Sequence, residues 1–501
     1  MSAGITRTPR ELPPELRSAK SLLTLLRARR IGAVELLRLV LARVESLNPA
    51  FNMVVALDAE GALEAAKRAD SAPDGARGSL HGLPMTIKDA WEVSGMTATC
   101  GIPPLAGHRP ERDADAVARL RAAGAILYGK TNVPTGAGDH QSYNPLYGRT
   151  NNPWNVERTV GGSSGGAAAA VATGVSALEL GSDIGGSIRC PAHFCGVYGH
   201  KPSYGIVPMR GHIPPPPGGL YTIELGVAGP LARSAGDLEL ALDVLMVPAE
   251  LERRAWSITL PQRRYQRLRD FRVALWADSR SFAVDSRCIE AMQAYANDLR
   301  DLGVRVDDTA RPALDPLATH ALYIAMLFSI FSASMPPDAL RQFADAAIGL
   351  PADDQSYPAR VARAIRLSHI EFMHLAEERE RIFRVWRKFF ESYDVVLCPI
   401  MPTVAFPHDT TGDELGHIAQ YKRTTLVDGR PRPYMDGLQW PGLATVANLP
   451  ATAIPTGRFI DGLPMGVQVV APYLEDRTGL RFAELAEEAF GGFVPPPAVI
   501  G

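Results

Sequence analysis

The chain has 501 residues, 46% hydrophobic and 21% charged, long enough for a sizeable core and too ordinary in composition for a disordered, collagen-like or coiled-coil protein. Lys and Arg at 52 against Asp and Glu at 54 leave a formal charge of −2, which offers no electrostatic pull on nucleic acid or anionic lipid. Five cysteines (Cys100, Cys190, Cys195, Cys288 and Cys398) make no disulfide framework, and the polar, proline-bearing start has no secretory pattern, so a cytoplasmic setting is expected.

Residues 21–48 carry apolar positions at helical spacing, broken near Gly32 and stopped by Pro49, which predicts two amphipathic helices. PMTIKDA (84–90) and AILYGKTN (125–132) read as strands, separated by a helix in DADAVARLRAAG whose Gly124 suits a helix C-terminus. Such alternation predicts an α/β sheet. From 161 to 205, glycines are interleaved with strand and helix formers, a pattern for close backbone approach rather than for a flexible linker. Pro214 to Pro217 form a short stiff turn, and residues 248–270 turn charged and irregular, as a connector does, ahead of a strand in FRVALWAD. The uncharged stretch 316–337 reads first as a buried helix, then as a pocket wall or a shallow membrane contact, and not as a span. Strands in YDVVLCPI, LPATAIP and MGVQVVAP and a helix in EDRTGLRFAELAEEAF close the chain.

Three serines stand among small residues in the glycine-rich segment: Ser163 and Ser164 in GGSSGG and Ser187 in SDIGGSIR. Gly161, Ser163 and Gly165 match the G-x-S-x-G elbow of serine hydrolases, which needs a histidine base and a carboxylate between the two in chain order. His193, His200 and His212 follow too soon for that order; His320, His369, His374, His408 and His417 stay eligible. A lysine can serve instead only if neutral, and at an ordinary pKa near 10.4 this requires roughly 4 kcal/mol from desolvation or neighbouring cations. Lys88 ends the apolar run LPMTI, where an extended strand carries its side chain inward, and Asp89 beside it can fix the loop. Cys190, His193 and Cys195 fall within six residues, but with no fourth ligand or second motif they read as buried thiols in a tight turn, and no metal or cofactor is expected.

These residues resemble the amidase signature family of serine hydrolases. The likeness rests on GLPMTIKD (82–89), GKTNVP (129–134), NPLYGRTNNPWN (144–155), GGSSGG (161–166) and GSDIGGSIRCPAHFCGVYGHKPS (181–203). The spacing agrees too, with 75 positions from Lys88 to Ser163 and 24 from Ser163 to Ser187. It implies an α/β fold with a central mixed β-sheet flanked by helices on both faces. N-terminal helices (1–70) would pack on or near a single large domain (71–501) whose helical segment at about 248–391 shapes the substrate site.

The resemblance further implies that Ser187 is the nucleophile, that Ser163, after a cis peptide, bridges, and that Lys88 is the ultimate base. Backbone N–H groups of Ile184, Gly185, Gly186 and Ser187 would form the oxyanion hole, Asp183 and Arg189 would hold that loop, and the Ala137 carbonyl would face the substrate. Phe328 and Phe331, with Tyr323 and Met326, are candidates for an apolar acyl pocket, against a plain core role at helical spacing. The expected reaction is hydrolysis of a carboxylic amide, or a related aryl amide, ester or carbamate, through an acyl-enzyme. The alternatives are a glutaminase subunit of an aminoacyl-tRNA amidotransferase, a scaffold without activity, and the elbow hydrolase. A small amide and water are the expected partners, and a homodimer is left open.

Overall fold

The computed structural model describes residues 17–351 and 353–499. Eleven strands form one mixed sheet. In chain order they are β1 (Val54–Leu57), β2 (Pro84–Lys88), β3 (Ile126–Thr131), β4 (Leu178–Asp183), β5 (Tyr198–Lys201) and β6 (Val227–Ala232). There follow β7 (Arg272–Leu275), β8 (Arg305–Asp307), β9 (Val395–Cys398), β10 (Ala451–Ile460) and β11 (Leu463–Val470). Across the sheet the order is β1-β3-β2-β4-β6-β5-β10-β11-β9-β7-β8. β2 runs parallel to both β3 and β4, and β7 parallel to β8 and β9, while the remaining pairings are antiparallel.

Every residue of β2, β3, β4, β5, β6 and β11 is buried, so both faces of the sheet are covered there. The sequence explains the pattern: a strand covered on both sides carries a continuous apolar run rather than an alternating one, as LPMTI and LPMGVQVV do. The helix Gly165–Ala172 is buried at every position because alanine and glycine let it lie close against the strands. The strand in FRVALWAD joins this same sheet, beside β9.

The two expected N-terminal helices are Ala19–Arg27 and Ala33–Phe51. Pro49 does not stop the second; it lies inside it. The turn survives because Asn52, at φ 48°, closes the helix by donating to Asn48 O at 2.7 Å, while the Asn48 side chain accepts from Met53 and Val54 N–H. Pro316–Ser332 is a helix started by Pro316 and capped by Asp315, and Tyr323, Ile324, Met326, Leu327 and Phe328 on it are buried. No helix among the described residues is long and apolar enough to cross a membrane.

Candidate active site

β2 delivers Lys88 at its last position, and the residue is fully buried. Burial pushes its amine down to about 8 from an ordinary 10.5, although Cys100, Asp183 and Glu179 act in the opposite sense. Lys88 Nζ lies 2.7 Å from Ser163 Oγ and 2.9 Å from Ser182 Oγ. Asp89 fixes the following loop, accepting from Thr99 Oγ1 at 2.5 Å and Lys130 Nζ at 3.1 Å.

Ser163 follows a cis peptide, Gly162–Ser163, in the turn ahead of Gly165–Ala172. Ser164 N–H donates to Ser187 O at 3.0 Å, which sets the two serine-bearing loops side by side. Among the described residues Ser163 Oγ hydrogen-bonds Lys88 alone, and Ser187 Oγ forms no hydrogen bond. Lys88 and Ser163 are thus in contact, while the Ser163–Ser187 link is not made; links of this kind commonly tighten only around a substrate. Ser187 is 7% exposed, at the end of its loop.

That loop, between β4 and the helix Arg189–Cys195, is held from beneath by one carboxylate. Asp183 accepts from Gly186 N–H at 2.9 Å, Ile188 N–H at 3.0 Å and Arg189 Nη2 and Nε at 2.8 and 3.1 Å. Burial alone would raise Asp183, but the Arg189 charge and these hydrogen bonds outweigh it and hold the carboxyl well below its usual range. Arg189, fully buried, also reaches Pro441 O, Gln468 Oε1 and Thr445 Oγ1, tying the loop to the helix Gln439–Val446 and to β11.

From above, two side chains grip the loop's carbonyls. Tyr323 Oη donates to Ile184 O at 2.8 Å, and His140 Nε2 donates to Gly185 O at 3.0 Å. In a trans peptide C=O and N–H point opposite ways, so a held Ile184 carbonyl aims the Gly185 N–H away from Tyr323. Ile184, Gly185 and Ser187 N–H find no protein acceptor among the described residues, a set of donors free to meet an oxyanion. Gly186, grouped with them on the resemblance, instead spends its N–H on Asp183 and so orders the turn. A Cβ at Gly185 would come 2.8 Å from Leu438 Cδ2, so any side chain there must displace the tip of that leucine.

Phe328 packs with both Phe331 and Phe343 in a second apolar cluster that reaches Ile184, Tyr323 and Leu438. They build the wall behind the loop, and it is Tyr323 that touches the loop by hydrogen bond. Ala137 adopts φ 55° in a turn packed against Val133 and Ile213, and its carbonyl accepts no hydrogen bond among the described residues. Cys190, His193 and Cys195 are buried apart from any ligand set: His193 spends Nδ1 on Gly466 N–H and Nε2 on Thr403 O. Among the described residues no three His, Cys, Asp or Glu side chains could hold a metal ion. His140, Ser182 and His212 were not marked as site residues by the sequence. The contacts that bring them to the site, Ser182 to Lys88, His140 to Gly185 and His212 to Ser182, span 94, 45 and 30 positions, so no local pattern announces them.

The family model described as Amidase matches residues 35–480. A glutamyl-tRNA(Gln) amidotransferase subunit of Roseiflexus sp. (strain RS-1) is 31% identical over 487 residues, covering 91% of this chain and 92% of that protein. Among solved structures, 6-aminohexanoate cyclic dimer hydrolase complexed with substrate superposes with a TM-score of 0.76 at 27% identity, covering 97% of this chain and 99% of that one. A bacterial aryl acylamidase of the amidase signature family shares the fold, with a TM-score of 0.79 at 24% identity and coverage of 96% and 97%. By its sequence match and by its fold, the chain belongs to the amidase signature family and is an enzyme acting on amides.

Proposed function

We propose that the protein hydrolyses carboxylic amides bearing an apolar group, through an acyl-enzyme on Ser187. The observation that carries this reading is the buried Lys88 amine, 2.7 Å from Ser163 Oγ and lowered to about 8. A lone pair on Nζ takes the Ser163 proton, Ser163 takes that of Ser187, and Ser187 Oγ attacks the substrate carbonyl. The oxygen becomes an oxyanion against the open N–H groups of Ile184, Gly185 and Ser187. Ser163 then protonates the leaving nitrogen and takes its own proton back from Lys88, so an amine departs rather than an amide anion and the lysine is neutral again. Water attacks the ester by the same relay, the acid leaves, and Ser187 regains its proton.

The apolar cluster behind Ile184, with Tyr323, Leu327, Phe328 and Leu438, supports an apolar substrate group. All five cysteines are free and buried, which supports a reducing, cytoplasmic setting.

A second reading is favoured by the curated relatives: a subunit of an amidotransferase, as the Roseiflexus protein is named, in which this chain would take glutamine as its amide. The purified chain, given a fluorophosphonate probe and then a panel of aryl amides, esters, carbamates and glutamine, separates the two. Labelling at Ser187 that is lost in Lys88→Ala, with turnover of apolar amides, is the expected result. Labelling at Ser163 overturns the mechanism, and glutamine as the sole substrate overturns the substrate class.

A further inference from the structure

Lys88 faces two hydroxyls, and only Ser163 leads to the substrate. A neutral amine has two N–H groups and one lone pair, so it can take a proton from Ser163 only while an N–H points elsewhere, toward Ser182 Oγ at 2.9 Å. Ser182 must then accept from Lys88 and send its own hydrogen on. The acceptor in reach is His212, whose Nε2 lies 2.8 Å from Ser182 Oγ. Its Nδ1 lies 2.8 Å from the carbonyl oxygen of Pro214, which can only accept. The hydrogen of the neutral ring therefore sits on Nδ1, and Nε2 carries the lone pair. One direction of hydrogen bonding satisfies all four groups: His212 to Pro214 O, Ser182 to His212, Lys88 to Ser182, and Ser163 to Lys88.

The ring is itself fixed. Trp91 meets it edge-on with centroids 4.7 Å apart and planes at 80°. Ile213 N–H donates to Ala90 O at 2.7 Å and Cys100 Sγ–H to Ile213 O at 3.1 Å, tying the loop 211–214 to the residues just after Lys88. We propose that His212 is a positioning residue that acts through Ser182 to turn the lone pair of Lys88 toward Ser163. This rests on Lys88 being the base, as proposed for the hydrolysis. No proton travels beyond Lys88: when Nζ gains the Ser163 proton it keeps donating to Ser182, and His212 stays neutral throughout.

The groups facing the ring suit that state. Burial and the Lys88 charge on β2 push the imidazole well below its ordinary value, against the Pro214 carbonyl; Ser182 on β4, Trp91 and the Cys100 loop complete its surroundings. A protonated His212 would donate to Ser182, whose hydroxyl would turn to the Lys88 lone pair and take it from Ser163.

The test is a mutant cycle read by fluorophosphonate inactivation, resolved into kinact and KI. His212→Leu and Ser182→Ala are each expected to lower kinact at least about tenfold with KI unchanged, and the double variant to fall no further than the worse single. His212→Gln, whose amide oxygen can stand where Nε2 stood, is expected to recover most of the loss. Losses that multiply in the double variant, a change confined to KI, or an unaltered kinact in either single overturn the proposal. If His212→Leu does not fold, Ser182→Ala decides alone by the same criterion. A parent protein unlabelled at Ser187, or a Lys88→Ala variant labelled at the parent rate, refutes the base assignment instead.

Discussion

Labelling of Ser187 should switch on with rising pH around the value of Lys88. Only the neutral amine can take a proton, so the rate follows the deprotonated fraction and rises as pH rises. At pH 7 a lysine at about 8 is roughly one-tenth neutral, and one at 10.5 about three parts in ten thousand. Burial of Lys88 therefore supplies a factor of about 300, equivalent to about 3 kcal/mol. The assay is the second-order rate constant for a fluorophosphonate between about pH 5.5 and 10, with the modified peptide mapped at each end. It should climb about tenfold per pH unit below 7, pass half its maximum near 8 and level off above about 9. Lys88→Ala should flatten the profile and lower its plateau by about 10²- to 10⁴-fold. A midpoint between about 6 and 7, where an ordinary histidine titrates, or a flat profile in the parent protein, refutes a lysine base.

Arg189→Met leaves the Asp183 carboxylate buried without its cation and should cost about 3–5 kcal/mol in urea unfolding, with labelling lost; a cost under about 1 kcal/mol would mean that the pair does not hold the loop. Tyr323→Phe removes one hydroxyl from Ile184 O and should lower turnover of an aryl amide about tenfold with KM unchanged, so an equal loss through KM would contradict the aiming of Gly185 N–H. Gly185→Ala brings a Cβ against Leu438 and should slow labelling, and Leu438→Ala in the same chain should restore part of it. Failure of that rescue would place the damage in the loop backbone rather than in the clash.

The sequence made the near half of this site readable because chemistry there follows local pattern. LPMTIK predicts a strand whose terminal lysine turns inward, and Lys88 is indeed at the end of β2 and fully buried. The strands flanking the site fall where their apolar runs place them, with β3 inside AILYGKTN. Pro49 misleads because a proline near a helix end sacrifices one hydrogen bond, and Asn48 and Asn52 offset the loss with side-chain and left-handed closure. Tyr323 shows a harder limit. At helical spacing it reads as one more apolar contact, and only packing 139 positions away turns its hydroxyl onto Ile184 O. Gly186 could not be told from Gly185 by sequence, since what separates them is which N–H the Asp183 carboxylate can reach.

The Tyr323 contact also bears on how this scaffold can be re-tailored. The helix Pro316–Ser332 both carries apolar packing behind the reactive loop and steadies one of its peptide planes, so it is not a freely exchangeable cassette. Phe328 and Phe331, further along the helix, are held by apolar packing alone, so changing their size leaves that hydrogen bond in place. A graft that replaces the whole helix must bring a hydroxyl to the same spot, or a redesigned enzyme will gain new packing and lose the aim of the loop beneath it.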